Sequence, residues 1–157
     1  MKILEPLFVD VLKKLNETKT SFMLIGGYAV NYYGYGRYTG DLDIWLNPDD
    51  GNKKHFLEAL RLLNMHPEDI DRIRKCDFRE AQVFSIGEPP LRIDFLTKVN
   101  LVSFEEALSH QKFFTIEDFS VAVIGYDHLI LTKINTNRPK DKNDIEQLQQ
   151  IHNPDRK

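Results

Sequence analysis

The chain is poor in the features that define several large protein classes. It has one cysteine, Cys76, in 157 residues, which excludes an internal disulfide framework and a cysteine-based zinc cluster and leaves an inert thiol in or near a loop. No apolar run approaches the roughly 18 residues needed to span a bilayer. The opening MKILEPLFVDVLKKLNE is amphipathic with charges throughout, unlike a signal peptide, so a cytoplasmic protein without a membrane is expected. Neither charge sign dominates: the net charge is -3, so any contact with nucleic acid would need a local basic surface. The five histidines show no i, i+4 pairing, and neither a Gly-x-Ser-x-Gly elbow nor a Walker loop occurs. Triad hydrolases and P-loop NTPases are therefore excluded. Repeats, low-complexity tracts and linkers are also missing, so one domain over residues 1–157 is expected.

What is present is a normal globular balance, 41% hydrophobic and 29% charged, with ten Phe, six Tyr and one Trp to fill a core. Ile3, Leu4, Leu7, Phe8, Val11, Leu12 and Leu15 recur at helical spacing and predict a helix ending near Asn16. Ser21 to Ile25 reads as a buried strand stopping at Gly26-Gly27, followed by a short helix from Tyr28 to Tyr33 and a loop from Gly34 to Gly40. Asp41 to Leu46 alternates as a strand, and Phe56, Leu57, Leu60 and Leu63 mark another helix. Pro67 to Arg79 is charged and ambiguous, with room for a helical turn or two. Strands are predicted at Ala81–Ile86, Leu91–Thr97, Phe113–Ile116 and Ser120–Ile124, and helices at Ser103–Ser109, Asp127–Asn135 and Lys140–Ile151. The fold class is α/β (α+β), a mixed β-sheet flanked by helices.

The chemistry concentrates between Gly26 and Leu46. Asp41 and Asp43 lie two apart on the predicted strand, so their side chains leave one face roughly 7 Å apart along the backbone. Paired carboxylates flanked by apolar residues repel each other, and a hard divalent cation relieves that conflict. Asp94, in Leu91-Arg92-Ile93-Asp94-Phe95-Leu96, supplies a third carboxylate if its strand lies beside the first. Three such acids are the usual support for two metal ions about 3.5–4 Å apart in phosphoryl transfer. Gly26 and Gly27, between a strand and a helix, let a phosphate approach the backbone. Gly34-Tyr35-Gly36-Arg37-Tyr38-Thr39-Gly40 is not a dinucleotide fingerprint, because its spacing is wrong by one and it runs into a strand.

Ile25-Gly26-Gly27, a gap of thirteen residues and Asp41-Leu42-Asp43-Ile44 together resemble the nucleotidyltransferase superfamily that includes DNA polymerase beta. The run from Arg37 to Asp43 and the later Arg138-Pro139-Lys140-Asp141 with Asp144 are similar to small bacterial nucleotidyltransferases, some of them toxins of toxin–antitoxin systems. The resemblance implies a polymerase-beta-like core, with Asp41, Asp43 and Asp94 as catalytic metal ligands for Mg²⁺ or Mn²⁺. It also implies Gly26 and Gly27 at the triphosphate of an NTP substrate. Arg37 and Thr39 precede the metal strand, and Arg37 either binds phosphate or pairs with Asp43 or Asp94. Lys133 either reaches the triphosphate or faces solvent. Asp141 and Asp144 suit a helix N-terminus, and Asp144 also flanks the buried stripe, where it could pair with Lys133 or Arg138.

The activity expected is transfer of NMP from an NTP to an RNA end, a protein hydroxyl or a small molecule. The rival is an inactive relative that binds a nucleotide or a cognate partner protein, as one half of a toxin–antitoxin pair.

Overall fold

The computed structural model describes residues 4–153. Ile3 of the first apolar stripe, and the two ends of the expected 1–157 domain, lie outside them. Helix α1 (Pro6–Glu17) starts with proline in its first turn, where a missing N–H costs nothing, and buries Phe8, Val11, Leu12 and Leu15. The chain then runs β1 (Phe22–Ile25), α2 (Gly26–Tyr32), β2 (Leu42–Leu46), α3 (Asp50–Leu62) and α4 (Pro67–Arg74). It continues through β3 (Val83–Glu88), β4 (Leu91–Leu96), α5 (Phe104–Leu108), β5 (Lys112–Ile116), β6 (Phe119–Val123), α6 (Tyr126–Lys133) and α7 (Pro139–His152).

The six strands form one mixed sheet in the order β3-β4-β2-β1-β6-β5. The central pair β1–β2 is antiparallel. β2 runs parallel to β4 and β1 parallel to β6, while the outer hairpins β3–β4 and β5–β6 are antiparallel. This is the mixed sheet with flanking helices expected from the sequence.

Several boundaries differ from the sequence reading by a residue or two, and three of the differences have a plain physical reason or bear on the site. Gly26 and Gly27 form the first turn of α2 instead of a turn before it, because Gly26 takes φ +65, a conformation that a residue without Cβ adopts freely. β2 begins at Leu42, so Asp41 stands just before the strand. α7 starts at Pro139, one residue before the expected Lys140, again with a first-turn proline. The ambiguous segment after Pro67 is helical to Arg74, capped by the His66 ring, which accepts from the Glu68 N–H.

Period-two alternation on β2 and β4 sets the two sheet faces apart. Leu42 and Ile44 pair with Ile93 and Phe95 on the face covered by α3, where the Phe56 and Phe95 rings lie 4.9 Å apart. On the opposite face Trp45 packs edge-on against Phe104 of α5, with ring centroids 5.0 Å apart. Asp43, one step along that face from Trp45, lies where the apolar covering gives way to a cleft. No helix among the described residues is long and apolar enough to cross a membrane.

Phe56 is fully buried and meets Phe78, Phe84 and Phe95. Phe56→Ala should lower unfolding free energy by about 3–5 kcal/mol, because the cavity among these rings cannot collapse fully. Urea unfolding of the variant beside wild type measures it.

Candidate active site

The parallel pairing of β2 with β4 sets Asp43 directly beside Asp94, and the antiparallel pairing of β1 with β2 sets Ile25 beside Asp43. The Asp43 carboxylate therefore lies against the Gly26 backbone. A Cβ on Gly26 would collide with it, and one on Gly27 would collide with Thr39 and approach Arg37 Nη1 to 3.2 Å. Space requires glycine at both positions, and at Gly26 the positive φ requires it as well.

Burial raises the Asp43 carboxyl to about 6, helped by the neighbouring charges of Asp94 and Asp41 and opposed by those of Lys133 and Arg138. The other two acids carry a counter-ion that the sequence reading missed. Arg92 Nη2 donates to Asp41 Oδ2 at 2.7 Å and to Asp94 Oδ2 at 3.3 Å. Its signal was present in the sequence: Arg92 and Asp94 are two apart on a strand and share a face. Ser85, opposite Asp94 on β3, donates its hydroxyl to Asp94 Oδ1 at 2.6 Å.

The Gly34–Gly40 loop is held from beneath. Asn31 Nδ2 donates to the carbonyls of Tyr35 and Arg37, both at 2.9 Å, and Thr39 Oγ1 donates to the Asp41 carbonyl at 3.3 Å. Arg37 pairs with neither Asp43 nor Asp94. Its Nε and Nη2 donate to the two oxygens of Asp144 at 2.6 and 2.9 Å, a bidentate pair spanning 107 positions of sequence. Asp144 is fully buried and also receives Lys133 Nζ at 2.9 Å. Burial alone would raise its carboxyl, but the hydrogen bonds from Arg37 and Lys133 outweigh that and hold it below the usual carboxylate range.

Lys133 is likewise buried, and it reaches Asp141 Oδ1 at 3.2 Å. Asp141 in turn accepts Thr136 Oγ1 at 2.7 Å, with Arg138 Nε 3.8 Å away. So Asp144 does pair with Lys133, while Arg138 goes to Asp141 instead.

All eight residues singled out from the sequence, Gly26, Gly27, Arg37, Thr39, Asp41, Asp43, Asp94 and Lys133, line one cleft of about 560 Å³. Arg92, Lys98, Arg138, Lys140 and Asp141 line it too. Its six cationic and four acidic side chains make it locally positive although the chain is net negative. Among the described residues, no three acidic, histidine or cysteine side chains are grouped closely enough to hold a metal ion as they stand.

The donor set nevertheless suits a hard cation. Asp43 and Asp94 are adjacent by register, and the charges of Asp94 and Asp41 both act on Asp43. Arg92, lying between Asp41 and Asp94, is what such an ion would have to replace.

The fold is that of the nucleotidyltransferases. Residues 7–156 match the profile of the family described as "Nucleotidyl transferase of unknown function (DUF2204)", and the chain belongs to that family. Among solved structures, the lincosamide antibiotic adenylyltransferase LnuA, determined with lincomycin bound, is similar with a TM-score of 0.53 and 16% identity. That similarity covers 96% of this chain and 99% of LnuA. TM1012 of Thermotoga maritima, a proposed nucleotidyltransferase, is similar with a TM-score of 0.53 and 10% identity, over 92% of this chain and 94% of that one. At these identities the likeness is one of fold. No curated protein sequence matches the chain.

Two expectations follow from the charges. The Asp43 carboxyl is raised from 3.8 to about 6 in the folded state. The stability that goes with its protonated form is therefore complete below pH 3.8 and is lost as pH rises through about 6. Without metal, wild type should lose up to about 3 kcal/mol over that window relative to Asp43→Asn, which cannot ionise. Thermal or urea unfolding of both proteins in chelator across that range measures the difference, and parallel pH profiles would contradict it. Asp144→Asn should destabilise by about 3–5 kcal/mol, since it takes a buried anion from two cations. A denaturant midpoint unchanged from wild type would contradict that.

Proposed function

We propose that the chain acts as one nucleotidyltransferase domain, moving a nucleoside monophosphate from an NTP to an acceptor hydroxyl with the help of Mg²⁺ or Mn²⁺ held by Asp41, Asp43 and Asp94. The observation that carries this reading is the placing of Asp43 beside Asp94 and against Gly26, inside a cleft whose other walls are cationic. Carboxylates that hold a cation and cations that hold phosphates are both required for phosphoryl transfer, which depends mainly on positioning and charge stabilisation. The bound ion would neutralise triphosphate charge and polarise the α-phosphoryl group.

The protein's own residues supply the rest. Gly26 and Gly27 line the cleft at the first turn of α2, where free backbone N–H groups suit a phosphate, and Arg37 and Lys133, held by Asp144, add fixed charge. Asp94 already accepts one hydroxyl, that of Ser85, and is the group suited to take the proton of the attacking hydroxyl. In the step, the bond from acceptor oxygen to the α-phosphorus forms, the α–β phosphoanhydride bond breaks, and the proton passes to Asp94. Lys98, Arg138 and Lys140 line the cleft and offer counter-charge to the departing pyrophosphate.

LnuA acts on a lincosamide antibiotic, so a small-molecule hydroxyl is an acceptor that a chain of this fold and span accommodates. RNA ends and protein hydroxyls are the alternatives. The reading calls for a compartment rich in NTP, which is the cytoplasm. Incubation with each α-labelled NTP, Mg²⁺ and fractionated cell extract should transfer label to one chemical fraction and thereby name the acceptor. Asp43→Asn should lower that transfer by about two orders of magnitude or more, because the lost ligand acts in the transition state. Transfer by Asp43→Asn within a few-fold of wild type would remove Asp43 from the mechanism.

A further inference from the structure

Arg92 places a guanidinium among the carboxylates to which the metal ion is assigned above. Its Nη2 holds Asp41 Oδ2 at 2.7 Å and Asp94 Oδ2 at 3.3 Å, and its Nε lies 3.2 Å from Asp94 Oδ1. With the Ser85 hydroxyl on Oδ1 as well, both oxygens of Asp94 are engaged. These are oxygens that a cation shared by the three carboxylates would use. A divalent ion and a guanidinium cannot both sit on them, since the two cations repel and compete for the same lone pairs.

Arg92 also fits its place poorly. Its Nε is buried without a well-aligned acceptor, so one of its donors is unmet for as long as it stays. Its side chain is 38% exposed, which leaves a path outward.

We propose that Arg92 is an internal counter-ion that competes with the metal for Asp41 and Asp94, so that a divalent cation alone binds weakly. The proposal rests on the metal reading given above. A triphosphate changes the balance in two ways. It brings oxygens that complete the coordination of the ion, and it brings anionic groups that can receive the displaced guanidinium. Arg92 thereby favours arrival of the metal with its nucleotide and suppresses occupancy by the metal alone. Arg92 is here a positioning residue; it acts through the carboxylates it holds.

Titration of the nucleotide-free protein with Mn²⁺, with free ion followed by electron paramagnetic resonance, tests this without any turnover. Arg92→Gln, which keeps a polar side chain but loses the charge, should bind Mn²⁺ at least about tenfold more tightly than wild type. Arg92→Lys, which keeps the charge, should stay near wild type. The added affinity should vanish in Asp43→Asn/Arg92→Gln, which locates it at the carboxylates. Circular dichroism melts of each variant confirm that folded protein is being titrated.

If wild type transfers label from NTP in a Mn²⁺-dependent way and Arg92→Gln binds Mn²⁺ no more tightly than wild type, the competition is overturned and the metal reading stands. If transfer proceeds fully in chelator and Mn²⁺ binds to none of the proteins, the metal reading falls and takes this proposal with it. A gain in affinity equal in Arg92→Lys and Arg92→Gln would also overturn the proposal, because charge would not be its cause.

Discussion

Asp43 and Asp94 stand opposite each other because β2 and β4 are parallel and in this register. Two carboxylates so placed, one of them largely desolvated, raise the energy of the folded chain in proportion to how far both are ionised. The surroundings reflect that constraint. The neighbouring helix opens with glycine, so that the Asp43 side chain has somewhere to lie. Arg92 covers the outer pair of acids, while Lys133 of α6 and Arg138 just before α7 offset the negative potential at Asp43 from further away. The sheet elsewhere is apolar on both faces near its centre, which is what lets it carry such a local conflict without unfolding.

A second buried charge resolves in the opposite direction. Asp144 is as deeply placed as any core leucine, yet it is held ionised by a bidentate arginine and a lysine. A buried ion pair is weak evidence for stability, since hydrophobic residues of equal volume often serve better. Its worth here is geometric: one carboxylate fixes the loop carrying Arg37, the end of α6 carrying Lys133 and the start of α7 in a single arrangement. The two buried acids thus divide the work. Asp43 is left under-compensated, and Asp144 is compensated by two cations at hydrogen-bond distance.

Much of this was legible in the sequence because it depends on short-range pattern. Alternation on Asp41–Leu46 and Leu91–Leu96 told which acids share a face, and Gly26-Gly27 after an apolar run marked a close approach. The partner of Arg37 was not legible. It lies 107 positions away, and nothing in local periodicity distinguishes Asp144 from Asp43 or Asp94 as a target. Arg92 was overlooked for a different reason: its relation to Asp94 is local, but its relation to Asp41 depends on the β2–β4 pairing. The start of α2 was misplaced because glycine has low helix propensity, and only tertiary space makes it the right residue there.

The order in which a chain is made gives the Arg37–Asp144 pair a temporal meaning. A ribosome delivers the Gly34–Gly40 loop, both carboxylate strands and α6 before it delivers Asp144. Until α7 emerges and docks, a nascent chain has its sheet strands in hand but keeps Arg37 and Lys133 without their shared anion, so the wall that faces the carboxylates is unformed. That wall is thus completed by a helix made after every strand of the sheet.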